Sequence, residues 1–418
     1  MSYQTEQSPE RVEYLFADQR DLETRLAATP PGLTAILERS LAGRAPNVEE
    51  ATELFALQGD SLAALVGVAD ELRRRAVGDT VTYVINRNVN WTNVCFVGCK
   101  FCSFAHLKNS PRAYDRDVSD VLDRIGEGVA LGATEVCMQG GLNPAMPDDG
   151  YLQLLRTVRE AYPDLHIHAF SPMEIQYGAH RMKMDYRPYL ELLLDAGLNT
   201  MPGTAAEIFD PEIRKVLTHD KLDTASWIEI VTTAHEVGLP TTSTMLYGHL
   251  ETPRHMAEHI EVLRSIQRNT GGLSEFVPLR FIWQNTQLYA EGLVSPVPQG
   301  RLDIAVYATS RLMLDGLIDN LQSSWVKLGR ELATLSLDAG CNDVGGTLME
   351  ESISREAGAD SGEYTSAEEL RSMIMSRGRK PRQRNTLYDL LDESDDGHLA
   401  GQPTDHPAGG WSGRLPTP

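Results

Sequence analysis

The sequence predicts an α/β protein, a (β/α)8 barrel preceded by a helical extension. Three observations carry this reading. From Val81 onward, short β-prone runs alternate with amphipathic helical patterns about eight times, the rhythm of parallel strands joined by crossover helices. Polar and glycine-rich clusters recur just after the strand-like runs, where a parallel barrel gathers its functional groups. Ahead of Val81 the apolar residues fall instead at helical spacing.

Residues 1–30 are polar and irregular and are expected to form a flexible N-terminus. Residues 31–80 read as the helical extension: Leu54, Phe55 and Leu57, then Leu62, Leu65 and Val66, recur at helical spacing. Asn47 ahead of Glu49-Glu50 is a helix start signal. Residues 81–391 carry the barrel and C-terminal helices. The expected strands are Thr82–Asn86, Glu135–Gln139, His166–Phe170, Asn199–Met201, Thr241–Tyr247, Glu275–Phe281, Asn320–Trp325 and Asp343–Leu348. Helical patterns at Val118–Leu131, Tyr151–Ala161, Tyr189–Ala196, Ala225–Val237, Arg254–Arg268 and Arg301–Leu314 separate most of them. Residues 392–418 begin Asp-Glu-Ser-Asp-Asp, hold little apolar surface, and are expected to be an acidic disordered tail.

Composition narrows the function. A formal charge of -21 repels phosphate backbones, so nucleic-acid binding is not expected. Only seven of the basic residues are lysine. The acidity suits either an ordinary solvated surface or adaptation to high salt, where screening removes self-repulsion. No run of about eighteen apolar residues occurs, so no membrane span is expected. Five cysteines, three of them clustered, suit a reducing cytoplasm and metal binding better than a disulfide framework.

That cluster is the strongest chemical signal. Cys95, Cys99 and Cys102 lie within eight residues as C-x-x-x-C-x-x-C, in Asn93-Val-Cys-Phe-Val-Gly-Cys-Lys-Phe-Cys-Ser-Phe104. Closed zinc sites and ferredoxin-type clusters use four protein ligands. Three thiolates on a cubane leave one iron open to a small molecule, whereas a zinc site would need a distant fourth ligand such as His106 or His249. The loop follows the first strand, which places it at the C-terminal rim of the barrel.

With this motif the chain resembles the radical S-adenosylmethionine (SAM) enzymes, and the fold expectation becomes a TIM-like radical SAM barrel. The resemblance implies a 4Fe-4S cluster on Cys95, Cys99 and Cys102, with the methionyl amine and carboxylate of SAM on the fourth iron. It implies that Phe101 packs on the adenine, that Gln139, Gly140 and Gly141 approach the methionyl group, and that Glu174 accepts from the ribose hydroxyls. Chemistry would begin when the reduced cluster cleaves SAM to methionine and a 5'-deoxyadenosyl radical, using an external one-electron reductant.

Further runs resemble the CofH family of deazaflavin-precursor (Fo) synthase subunits. They include Asn86-Arg-Asn-Val-Asn-Trp-Thr-Asn-Val-Cys95, His168-Ala-Phe-Ser-Pro-Met-Glu174, Pro202-Gly-Thr-Ala-Ala-Glu207, Ser243-Thr-Met-Leu-Tyr-Gly-His249 and Asn342-Asp-Val-Gly-Gly-Thr-Leu-Met349. The family joins the hydroxybenzyl group of L-tyrosine to 5-amino-6-(D-ribitylamino)uracil in coenzyme F420 biosynthesis, releasing 2-iminoacetate, methionine and 5'-deoxyadenosine. The resemblance implies a transferase with those two small-molecule substrates, and a separate CofG-like subunit for ring closure, since only one cysteine motif occurs here.

Strand-end residues then become substrate candidates. Glu207 and Asp343 suit an ammonium or ribityl hydroxyls, Asn342 the uracil edge, and Tyr247 and His249 the phenol. Each is equally suited to a structural hydrogen bond. Arg280 and Trp283 stand where the family pattern has proline and histidine, and are expected to reshape the acceptor site. The alternatives are a menaquinone-pathway radical SAM enzyme, of aminofutalosine-synthase or cyclic-dehypoxanthinylfutalosine-synthase type, and a non-catalytic iron–sulfur or zinc module.

Overall fold

The computed structural model describes residues 10–17, 20–218, 220–393 and 399–403. Strand β1 (Thr80–Val84) runs through Ile85 into β2 (Asn86–Val89). β2 pairs in parallel with β3 (Glu135–Met138), and β3 with β4 (His166–Ala169). Single bridges at His168↔Thr200 and Met201↔Thr241 then lead to β5 (Thr241–Tyr247). β5 pairs with β6 (Leu273–Arg280). Bridges Phe276↔Leu321 and Gln322↔Asp343 carry the ladder to β7 (Asp343–Gly346), which returns to β1. Every one of these neighbours is parallel, so the ring closes as the expected barrel. Around Thr200 and Leu321 it is held by single bridges rather than by full strands.

The amphipathic patterns become the outer helices. Val118–Ala130 and Thr224–Glu236 start on Asp117 and Asp223, whose carboxylates accept the N–H groups of Asp120 and Ser226. Such caps satisfy donors that a helix leaves unpaired at its start. In the extension, Asn47 and Glu50 form a reciprocal capping box at the head of Val48–Phe55. That helix packs on Pro253–Thr270, and Gly59–Val77 packs on Arg301–Leu314. Arg264 donates to the Pro46 carbonyl and Arg301 to those of Phe55 and Leu57. The extension is therefore joined to the barrel's outer helices.

Two expectations change here. Part of the N-terminus expected to be flexible forms helices at Tyr14–Ala17 and Leu22–Ala27. Leu15 and Leu26 are buried, and that apolar contact outweighs the polar composition around them. In the tail, Leu391–Glu393 and Leu399–Pro403 pair as an antiparallel hairpin, while 394–398 and 404–418 lie outside the described residues. Among the described residues no helix is long and apolar enough to cross a membrane.

A strand absent from the sequence reading closes the N-terminal end. β8 (Lys380–Gln383) pairs in parallel with the lower half of β1. The chain beyond it crosses the barrel floor and forms a buried polar network. Arg384 donates from Nε to Asp343 Oδ2 at 2.5 Å and from Nη2 to Oδ1 at 3.1 Å. Its guanidinium also lies 3.6 Å from Glu275 and stacks over the Tyr388 ring. The hydroxyls of Thr386 and Tyr388 donate to Glu135 and Glu275. Breaking a buried pair strands its partner's charge, at a cost of roughly 3–5 kcal/mol. Arg384→Ala is therefore expected to lower unfolding stability by about that amount, read as a shifted midpoint in urea unfolding.

Candidate active site

A cavity of about 400 Å³ opens at the C-terminal ends of the strands, a size suited to small-molecule substrates. The three cysteines, Phe101, Gln139, Gly140, Gly141, Glu174 and Glu207 all line it. The sequence reading located these groups; the barrel converges them.

The cysteine loop is anchored from both ends. At its base, Cys95 N–H donates to the His106 carbonyl at 3.0 Å, and His106 N–H to the Asn93 carbonyl at 2.8 Å. Asn93 donates to the Arg112 carbonyl and accepts the Tyr114 N–H. At its far side, Lys100 N–H meets the Leu217 carbonyl, and the Ser103 hydroxyl meets that of Asn285. Gly98, at φ 65°, turns the chain between the first two cysteines, a conformation that costs glycine little.

The asparagines of the run before Cys95 face inward by strand alternation. Asn86 donates to Glu135, Asn88 to Glu351, and Asn90 to the Gln139 carbonyl. Trp91 packs edge-on against Phe170 and Tyr151. A β-carbon on Gly140 would stand 2.6 Å from the Trp91 ring, and one on Gly141 would stand 2.3 Å from the Val94 carbonyl oxygen. The two glycines therefore bring the β3 turn against the cysteine loop. Their N–H groups are engaged by Glu174 and by the Thr92 carbonyl. Among the described residues no hydrogen bond uses their carbonyls, which are the groups suited to an ammonium.

Glu174 stands on the helix that follows β4. It is the third residue of Pro172–Met182, in a capping box with Ser171. One carboxylate oxygen accepts from the Ser171 N–H and hydroxyl, both at 2.7 Å, and the other from the Gly140 N–H at 3.1 Å. Burial raises its pKa to about 7 against these hydrogen bonds. Glu207, held at φ 45°, lines the cavity with its charge already engaged by the protein. It pairs with Lys221, whose Nζ also lies 4.9 Å from the centre of the Phe101 ring.

Burial pushes the Cys102 thiol up to about 11 and raises Cys99. Stable thiolates here need a bound cation. All three cysteines are free. Among the described residues, no three or more His, Cys, Asp or Glu side chains converge on a point as a single-ion site would require. A cubane places its thiolates on different irons and so needs them further apart. The three thiols around one cavity suit such a cluster, and neither His106 nor His249 lines that cavity.

Six residues expected at the substrate or acceptor site lie outside the cavity lining. Tyr247 and Arg280 are register partners on β5 and β6. Thr244, Leu246 and Leu279 line the cavity, so alternation turns Tyr247 and Arg280 outward. There the Tyr247 hydroxyl donates to Asp303 at 2.7 Å, and Arg280 donates to both Asp303 oxygens at 2.6 and 2.7 Å. His249 sits behind Phe281, edge-on at 5.8 Å, with Nε2 on the Leu246 carbonyl. Trp283 packs on Tyr289, so neither departure from the family pattern reaches the cavity wall. Asn342 and Asp343 begin the last strand, at the floor. Asn342 accepts from Arg311 and from the Leu321 N–H, and Asp343 is held by Thr82 and Arg384.

Lys221, Thr244, Gln322, Lys327 and Glu351 line the cavity without having been singled out as site residues. The lysines had a usable signal, because two of only seven in the chain face this one cavity.

The radical SAM superfamily profile matches residues 89–263, and that of the CofH/MqnC C-terminal region matches 270–396. The chain belongs to the radical SAM superfamily and carries the C-terminal region of its CofH/MqnC branch. A 5-amino-6-(D-ribitylamino)uracil--L-tyrosine 4-hydroxyphenyl transferase of Methanocaldococcus jannaschii is 47% identical over 82% of this chain and 96% of its own length. An FO synthase of Mycobacterium tuberculosis (strain CDC 1551 / Oshkosh) is 52% identical over 81% of this chain. The chain spans only 40% of that protein's length. Among solved structures, methylornithine synthase (PylB) superposes with a TM-score of 0.66 at 17% identity, over 83% of this chain and 97% of that one. The [FeFe]-hydrogenase maturase HydG does so with 0.67 at 14%, over 90% and 80%. These two share the fold. The superfamily's cofactors are a 4Fe-4S cluster and SAM, which the cysteine loop fits.

Two outcomes follow from the geometry. Gly141→Ala forces its β-carbon against backbone and so displaces the loop; iron bound per chain after anaerobic reconstitution should fall well below wild type. Glu174 has a folded pKa raised from 4.5 to about 7, so its contribution to stability is present below about 4.5 and lost as pH rises through about 7. The melting-temperature advantage of wild-type apoprotein over Glu174→Gln should shrink across that window. A constant difference would show that Glu174 does not titrate there.

Proposed function

We propose that this chain is the 5-amino-6-(D-ribitylamino)uracil–L-tyrosine 4-hydroxyphenyl transferase of deazaflavin coenzyme F420 biosynthesis. The observation that carries the reading is the 47% identity across 96% of the length of an archaeal transferase of that name. The cavity supports it, because it joins the three thiols to room for small substrates in one space.

When bound, the cluster and SAM supply a one-electron cleavage that yields a 5'-deoxyadenosyl radical. The chain's own residues do the rest by position. Leu279, Phe281, Ile282 and Leu348 form apolar walls that keep water from a reactive fragment. Glu174 holds the Gly140 turn in place, and the Glu207–Lys221 pair fixes the wall beside Phe101. Thr244 and Gln322 offer uncharged hydrogen-bonding groups to the uracil or its ribityl chain. The net reaction transfers hydroxybenzyl from tyrosine to carbon 5 of the uracil and releases 2-iminoacetate, methionine and 5'-deoxyadenosine. Ring closure falls to a separate CofG-like radical enzyme, electrons come from an external donor, and the oxygen-sensitive chemistry suits the cytoplasm.

The test is anaerobic product analysis of reconstituted, reduced protein given SAM, tyrosine and the diaminouracil. The hydroxybenzyl adduct, 2-iminoacetate and 5'-deoxyadenosine are expected together, and Cys102→Ala should abolish all three. Turnover with a menaquinone-pathway substrate but not with this pair would overturn the assignment in favour of that branch.

A further inference from the structure

Among the described residues the cavity carries five charged side chains: Glu174, Glu207, Lys221, Lys327 and Glu351. Four are engaged by the protein itself. Glu174 is held by Ser171 and Gly140, and Glu207 and Lys221 neutralise each other. Glu351 accepts the Ser354 N–H and hydroxyl on one oxygen and Asn88 Nδ2 at 2.8 Å on the other. Lys327 is the exception. Within the described residues it has no hydrogen bond and no ion pair, and it feels only the more distant Glu351 carboxylate and Cys102 thiol.

Its position is fixed. Lys327 stands on the short helix Trp325–Leu328, just after the bridges at Leu321 and Gln322. The fully buried Trp325 donates from its indole to the Gly346 carbonyl at 2.9 Å, and the Lys327 N–H closes on the Ser324 carbonyl at 3.0 Å. An ammonium without a counter-ion in a largely apolar cavity is costly unless a ligand supplies the anion. Among the described residues, no arginine or histidine lines the cavity.

We propose that Lys327 binds the α-carboxylate of the amino-acid substrate. The inference rests on the substrate reading above and deepens it. Of the two proposed substrates, the ribitylaminouracil offers only uncharged hydroxyl, amino and carbonyl groups, whereas tyrosine brings a carboxylate. SAM carries the same α-carboxylate chemistry, so the experiment separates the two sources.

The test is equilibrium binding to cluster-loaded, unreduced enzyme, comparing wild type with K327M and K327R for tyrosine, tyramine and SAM. Tyramine keeps the phenol and amine but lacks the carboxylate. A charge-assisted hydrogen bond corresponds to roughly a ten- to hundredfold change in affinity. K327M should weaken tyrosine by about that factor, leave tyramine and SAM unchanged, and be partly rescued in K327R. Equal losses for tyrosine and tyramine, or a loss confined to SAM, would overturn the assignment of Lys327. Wild-type enzyme that binds no tyrosine would overturn the substrate reading itself and this assignment with it.

Discussion

Everything functional in this molecule depends on a seam closed between the first and last barrel strands. At that seam Gly346 lies so close to Asn86 that a β-carbon would sit 2.0 Å from the amide oxygen. The Asn86 N–H donates to the Thr347 hydroxyl, which donates back to the Asn86 carbonyl, and Asn86 Oδ1 accepts the Leu348 N–H. These contacts join residues about 260 positions apart. Closing so long a loop costs chain entropy, and satisfied buried hydrogen bonds on both partners oppose that cost. With the ring closed, the strands' C-terminal ends face one space and the cysteine loop has a cavity to line.

The two ends of the barrel use polar groups differently. At the floor, Arg384, Asp343, Glu275 and Tyr388 are paired with one another. Such a saturated network rigidifies a core. At the mouth the polar groups are sparser, and Lys327 has no close ionic partner among the described residues. The walls between them are apolar. A site of that kind keeps a few charges unspent for ligands and excludes water from the rest.

The eight-strand rhythm was legible because period-two and period-3.6 patterns report local burial, and both repeat throughout the chain. The cysteine loop was legible because three thiols so close together have few structural uses. Errors at the site had two physical sources. Tyr247 and Arg280 were read at the correct strand ends but on the wrong face, since a single-residue shift reverses a strand side chain. Asn342 and Asp343 were read at the wrong end of their strand, because their partners, Arg311 and Leu321 for the first and Arg384 for the second, are distant in sequence and have no local signature. Lys380-Pro-Arg-Gln383 is polar and short, and becomes a strand only because β1 offers it an unpaired edge.

By itself, the order of residues determined the barrel class and the three-cysteine loop at its rim, because the first follows from a regular period and the second from neighbours in sequence; the radical SAM assignment rests on resemblance to a known family. Only the tertiary structure decided which strand-end groups share the cavity, that Glu174 braces a turn from a helix cap, and that Lys327 stands there without a counter-ion among the described residues. Those facts depend on contacts between residues far apart in the chain. Strand facing, barrel closure and competing partners set them, and none of the three is expressed in a local pattern.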